Sequence, residues 1–239
     1  MRFKYHQPIP NFYKVENPRR PKDTISDDLL NEFRDIALSS RFAGLSYCKL
    51  GDDFKEEWNI DWDNIIILKY AMSADILKME PSDEKCILMD EEFHEFGAKT
   101  FALADILREY GFRADLINPL DDRVSLRAIA LQSNEAVITR SNMCMFKEGL
   151  NLGMFMIQTS IDNLPFKREN DMMWVRDYCS TCGVCIDRCP ENAFDSEGKF
   201  QRRLCTAHRE GCSQCILFCP FYKRGYDKVK KRYERMVKK

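Results

Sequence analysis

Eight of the chain's eleven cysteines fall between Cys179 and Cys219, in two runs whose spacing limits what that part of the sequence can become. The first is Cys179-x2-Cys182-x2-Cys185-x3-Cys189-Pro190, and the second is Cys205-x6-Cys212-x2-Cys215-x3-Cys219-Pro220. A C-x2-C-x2-C-x3-C-P run holds a cubane [4Fe–4S] cluster, with its fourth cysteine reaching across to the other cluster of a pair. Short spacing lets three thiolates from one tight loop reach three irons, and the fourth iron takes a remote sulfur. The pattern therefore groups Cys179, Cys182, Cys185 and Cys219 around one cluster, and Cys189, Cys205, Cys212 and Cys215 around the other. Two zinc sites are the rival reading, since C-x2-C pairs also bind zinc tetrahedrally. Zinc requires neither a third cysteine at x2 spacing nor a Cys-Pro ending. Electron transfer is the chemistry that two such clusters imply.

At 239 residues the chain is one large domain, or one domain with a small appendage. Hydrophobic residues make up 44%, enough for a core that does not depend on the cysteine sites alone. The net charge of −1 hides an asymmetry. Residues 221–239 hold nine Lys/Arg against Asp227 and Glu234, a surplus of about +7, which leaves about −8 to residues 1–220. Neither figure signals nucleic acid. So many unpaired thiols imply a reducing compartment, because in a secreted chain they would become disulfides. Met1 to Lys22 is polar and proline-punctuated, with no apolar signal-peptide segment. The aliphatic run Ile65-Ile66-Ile67-Leu68 is far too short to span a bilayer. The expectation is a cytoplasmic protein without a membrane span.

Residues 1–24 read as an extended arm, since Pro8, Pro10, Pro18 and Pro21 resist regular structure. Ser26 then caps a helix with Asp27 and Asp28 in its first turn and Leu29, Leu30, Phe33, Ile36 and Ala37 on its apolar face. Strands are expected at Ala43–Lys49 and Ile65–Tyr70, the second aliphatic enough to be buried on both faces. The clearest helical period runs from Asp90 to Tyr110, with Gly111 as its stop. A strand at Arg113–Ile117, a helix near Val124–Gln132, and short strands at Ala136–Thr139, Met143–Phe146 and Met154–Thr159 follow. The divisions expected are an arm (1–24), a layered α+β domain (25–169) that binds a cofactor and substrate or docks a partner, a cysteine module (170–222) and a basic helix (223–239).

The displaced cysteine of the second run carries a resemblance. Where a simple two-cluster ferredoxin has a third x2-spaced cysteine, this chain has Arg209, with Cys205 four residues earlier. That arrangement resembles epoxyqueuosine reductases and reductive dehalogenases, whose corrinoid-binding core precedes two [4Fe–4S] clusters. Ala102-Leu103-Ala104-Asp105-Ile106-Leu107-Arg108, then Gly111 and Ala114, is similar to that family's helix, turn and strand. Leu126-Arg127-Ala128-Ile129-Ala130 looks like its next helix, and Thr159-Ser160-Ile161-Asp162-Asn163-Leu164-Pro165 like its lead-in to the clusters. The similarity covers roughly 35–222 and is concentrated at the cysteines.

The resemblance implies a nitroreductase-like, corrinoid-binding α+β core with a C-terminal bacterial ferredoxin-like two-[4Fe–4S] module. It implies single electrons passing through the clusters to a corrinoid of the cobalamin type, or to a substrate, in the N-terminal domain. The donor would be low-potential, of ferredoxin or flavodoxin type. The Asp-Tyr-His triplet of epoxyqueuosine reductases, whose aspartate donates a proton, is matched here by Glu92-Phe93-His94, making Glu92 the candidate acid. A solvated helix start accounts for Glu92 equally well. The family's Gly-Leu-Gly segment is here Ser133-Asn134-Glu135-Ala136, without the glycine that permits close backbone approach to a ligand. The helical-repeat tail of epoxyqueuosine reductases and the export signal of respiratory dehalogenases are not found in the sequence. The alternative is a non-catalytic electron-transfer or corrinoid-reactivation protein that docks a corrinoid protein or other partner. His94 reads as a surface or core histidine and His208 as a loop histidine within reach of a cluster. Cys48, Cys86 and Cys144 read as buried small residues, with Cys144 the one nearest a ligand-facing segment.

Overall fold

The computed structural model describes residues 8–58, 60–121 and 123–237. The Ser26 side chain accepts a hydrogen bond from the Leu29 N–H and starts α1 (Asp27–Ser39), which buries Leu30, Phe33 and Ala37. β1 (Gly44–Lys49), α2 (Asp52–Trp58), β2 (Asn64–Ala71) and α3 (Ala74–Lys78) follow. Next come the long helix α4 (Asp83–Glu109), β3 (Ala114–Leu116) and α5 (Leu126–Gln132). β4 (Val137–Ile138), β5 (Cys144–Met145) and β6 (Leu152–Thr159) close the strand-bearing part. The cysteine-rich part is helical: α6 (Trp174–Cys182), α7 (Val184–Asp187), α8 (Ala207–Glu210), α9 (Gln214–Leu217), α10 (Pro220–Arg224) and α11 (Tyr226–Val237).

The main sheet has the order β1-β2-β6-β3 and is antiparallel at every pairing. Every residue of β2 from Asn64 to Tyr70 is buried, because both faces of the sheet are covered. On one face Ile66, Leu68, Tyr70, Phe155 and Ile157 meet α1 and α4. On the other, Ile65, Ile67 and Met156 meet α5, Trp58, Ala136, Cys144 and Phe146. A strand covered on both sides gains nothing from alternation, which is why its sequence is a continuous aliphatic run. A third core joins Val137, Met145 and Leu150 to Met172, Val175, Tyr178, Phe221 and Val229, seating the cysteine-rich part on the β4–β5 hairpin. No helix among the described residues is long and apolar enough to cross a membrane.

Most boundaries lie within two residues of expectation, two differ by more, and α2 and α3 were not anticipated. α4 begins at Asp83 rather than Asp90, because Ser82 accepts from the Lys85 N–H and caps the helix earlier. Its added turns bury Lys85 and Cys86, residues with no apolar period to announce them. The basic tail is split, since Gly225 at φ +79° separates α10 from α11. The described part of the arm, from Pro8, is irregular but tied down. Asp105 accepts from the Lys14 and Val15 N–H groups, and the Arg108 guanidinium lies 3.5 Å from the Tyr13 ring centre. Residues 1–7 lie outside the described residues.

Candidate metal centre

Two left-handed glycines fold the cysteine runs inward. α6 carries Cys179 and Cys182 and ends at Gly183, φ +65°, which starts α7 with Cys185. α8 ends at Gly211, φ +71°, which turns the chain so that Cys212 precedes α9 and Cys215 lies on it. Pro220, at the first turn of α10, ends the loop that presents Cys219.

Cys179, Cys182, Cys185 and Cys219 line a common cavity roofed by Thr139, Arg140 and Ser141. Burial raises the Cys179 thiol and pushes Cys185 and Cys219 up to about 11, and the neighbouring thiols of the same four add to it. The second four are gathered in the same way. Cys205 is raised by burial and then by Cys212 and Cys189, while Cys215, at about 12, feels Cys212, Cys205, Cys185 and Cys189. Cys185 acting on Cys215 marks where the two groups adjoin. Among the described residues no three His, Cys, Asp or Glu side chains converge on one point as a single ion requires.

The donor chemistry fits iron–sulfur clusters. Each group is four thiols, the soft ligands such clusters take. Backbone N–H groups point at the sulfurs: Ala193 to Cys189 at 3.3 Å, Arg140 to Cys179, Ala207 to Cys205, and Phe221 and Tyr222 to Cys219. Such bonds stabilise the thiolate form. Bound iron would do so far more strongly, releasing the protons that burial now holds on the thiols. His208 sits on α8 between Cys205 and Cys212, and its Nδ1 is buried with no hydrogen-bond partner among the described residues.

Glu92 lies well inside α4, so the helix start does not account for it. Both carboxylate oxygens accept from the Ser73 N–H, at 3.0 and 3.2 Å, beside the first turn of α3. Desolvation raises its pKa, with the Ser73 bond and Arg41 opposing. His94 Nδ1 lies 2.8 Å from the Asp90 carbonyl oxygen. Burial pushes the Cys48 and Cys144 thiols up to about 12, and Cys86 donates to the Arg209 carbonyl at 3.5 Å. All three are enclosed and outside both cysteine groups.

The segment 133–136 is tied to its surroundings by hydrogen bonds. Ser133 and Ala136 are buried, the Ser133 hydroxyl donates to the Ala130 carbonyl and accepts from the Glu135 N–H, and Asn134 donates to the Lys167 carbonyl. Glu135 turns toward Ser46 and the fully buried Lys69, which also donates to Glu148 at 2.5 Å. Asn134 takes the left-handed backbone that glycine favours, at φ +57°, and Asn134 and Glu135 remain partly exposed.

No family model matches the chain, and no curated protein does. Solved structures do match. The catabolic reductive dehalogenase NpRdhA superposes with a TM-score of 0.70 at 13% identity, over 92% of this chain and 37% of its own. The same enzyme with 3-bromo-4-hydroxybenzoic acid gives 0.66 at 14%, over 84% and 33%. A selenomethionine-labelled epoxyqueuosine reductase gives 0.52 at 15%, over 83% of this chain and 66% of its own. This chain has the fold of the reductive dehalogenases and epoxyqueuosine reductase. The agreement is with the resemblance read from the displaced Cys205, and at these identities it is one of fold. The chain spans well under half the length of the dehalogenase structures it matches.

Proposed function

We propose that this protein is the electron-transfer component of a reductase system, holding two [4Fe–4S] clusters. Cys179, Cys182, Cys185 and Cys219 would ligate one, and Cys189, Cys205, Cys212 and Cys215 the other. The observation that carries this reading is the gathering of eight thiols into two adjoining groups of four, with backbone N–H groups aimed at the sulfurs. When bound, the clusters supply one-electron chemistry at potentials set by burial, charge and hydrogen bonds. The chain's own residues exclude water around the sulfurs, through Tyr178, Phe221 and the roof at 139–141. They also hold the groups side by side through Cys185 and Cys215.

The fold likeness supports a reductase context, because one matched dehalogenase structure is described in terms of B12-dependent dehalogenation. The lack of the family's glycines at 133–136 argues against a resident corrinoid, so the electrons go to an acceptor on a partner, such as a corrinoid protein. A second reading keeps the reaction in the N-terminal domain, with Glu92 as acid. Its half-buried carboxyl and raised pKa favour that reading. The donor would be of low-potential ferredoxin or flavodoxin type. A reducing compartment, the cytoplasm, suits so many thiolates.

Anaerobically reconstituted protein should contain about eight irons and eight sulfides per chain. Stoichiometric zinc with negligible sulfide would sink the proposal. Incubated with cobalamin and desalted, the same protein should retain none, and stoichiometric retention would move the acceptor back into the N-terminal domain.

A further inference from the structure

Lys85 is buried to 1% exposure, yet among the described residues its ammonium has only neutral hydrogen-bond acceptors. Nζ donates to the carbonyls of Leu77 at 2.9 Å and Met79 at 2.8 Å. It lies in the first turn of α4, the positive end of the helix dipole, where a cation is disfavoured. Burial lowers its pKa, and the groups that act to keep it charged are Cys212 first, then the exposed Glu80, then Cys86. A buried charge persists only where an opposite charge compensates it.

The compensating charge comes from the cysteine-rich part, which is clamped onto this turn. The Ser82 N–H donates to the Glu210 carbonyl at 2.9 Å, and the Cys86 thiol to the Arg209 carbonyl at 3.5 Å. A side chain added at Gly211, next to Cys212, would meet Lys85 Cγ at 3.1 Å. The x6 spacing between Cys205 and Cys212 thus makes room for α8, which encloses Lys85 beneath the second thiol group. Bound by four thiolates, a [4Fe–4S] centre is an anion, and reduction adds one more negative charge.

We propose that Lys85 is the fixed cation of the second cluster, the one assigned to Cys189, Cys205, Cys212 and Cys215, and that it raises that cluster's reduction potential. The inference rests on the two-cluster reading above. Arg140 reaches the first group, but its guanidinium donates to the Ser180 and Glu197 carbonyls at exposed positions, where water screens it. A buried ammonium acts through a lower dielectric and has the larger effect. Of the two clusters, the second is therefore the better electron acceptor.

The test is a potentiometric titration of the reconstituted full chain followed by EPR. Cys205→Ala, expected to disturb the second cluster alone, tells the two signals apart. Lys85→Met should shift the second cluster's one-electron equilibrium at least tenfold toward the oxidised form, 59 mV more negative. The first cluster should hold its midpoint, and Lys85→Arg should stay near wild type. An unchanged second midpoint in Lys85→Met with eight irons retained overturns the proposal. Should Lys85→Met lose iron, Lys85→Gln decides, because it keeps a donor for the carbonyls without the charge. Loss of the second cluster from both neutral variants but not from Lys85→Arg supports a required charge. Loss from all three assigns Lys85 to packing and overturns it. Absence of iron and sulfide from the wild-type chain is a separate outcome, since that removes the two-cluster reading itself.

Discussion

Glu92 and Cys205 carry the two sharpest questions that single residues can answer. Glu92 is an acid whose folded pKa lies above its ordinary value, because burial penalises its charge. Folding therefore favours the protonated form. That contribution is fully present below the ordinary glutamate range and is lost as pH rises through the raised pKa. Glu92→Gln keeps an acceptor for the Ser73 N–H without the charge. The melting temperature of the variant, relative to wild type, should therefore climb between about pH 4.5 and neutrality. A variant that is less stable at pH 7 than at pH 4.5, each against wild type, would mean that the ionised carboxylate is held by Arg41 rather than merely desolvated. If Glu92 is also a general acid, turnover with a reducible substrate should fall about a hundredfold or more. Near-normal turnover would leave it as the acceptor that holds the Ser73 N–H at the start of α3. If the two-cluster proposal holds, Cys205→Ala should damage the second cluster and spare the first, leaving a three-iron EPR signal. Unchanged spectra would make Cys205 structural, although it sits among Cys189 and Cys212.

Among elements, α4 does most to connect the sheet with the cysteine-rich part, and two substitutions on it separate capping from packing. Phe96 is stacked on Tyr70 with ring centres 4.2 Å apart and meets Phe42 at 5.2 Å. Phe96→Ala should cost about 3–5 kcal/mol in denaturant unfolding, whereas Ser82→Ala, which removes only the cap, should cost about 1 kcal/mol. Equal costs would mean that the α4 start is held as firmly as its middle. The same helix shows what was legible in the sequence. Its apolar period from Phe93 onward announces the part that packs on the sheet. The turns from Asp83 show no apolar period, with Ile87 exposed, and Lys85 and Cys86 are buried where α8, more than a hundred residues later, closes over them. α1 and β2 were readable from a serine cap and an aliphatic run. α2 was not, since it is mostly charged and is anchored by Phe54 and Trp58. The grouping of cysteines followed from spacing. The burial of Lys85 beneath them did not, because no local pattern joins residue 85 to residue 212.

Across the whole molecule, the three cores divide the labour unevenly, and that division has a consequence for metal loss. Among the described residues, the two cores on either side of the sheet draw none beyond Phe166. The third mixes Val137, Met145 and Leu150 with Met172, Val175, Tyr178, Phe221 and Val229, and Cys179, Cys182 and Cys219 pack directly against it. Around it Trp174 donates to the Tyr226 hydroxyl at 3.0 Å and meets the Phe221 and Tyr233 rings. On the two-cluster proposal, stripping the clusters would leave partly buried thiols without irons and remove the cross-link between helices of few turns, which are marginal alone. The sheet keeps both its faces covered. Hydrogen exchange on cluster-depleted protein should therefore show α6, α9, α10 and α11 losing protection, while β2, β6 and the middle of α4 keep theirs. Regions of one chain open separately when few buried contacts join them. The start of α4 is the informative boundary: Lys85 and Cys86 lie under α8, so their amides should loosen with the cysteine-rich part rather than with the sheet. Loss of protection throughout β2 and β6 on the same timescale would show that the chain unfolds as one unit and that the clusters hold the sheet as well.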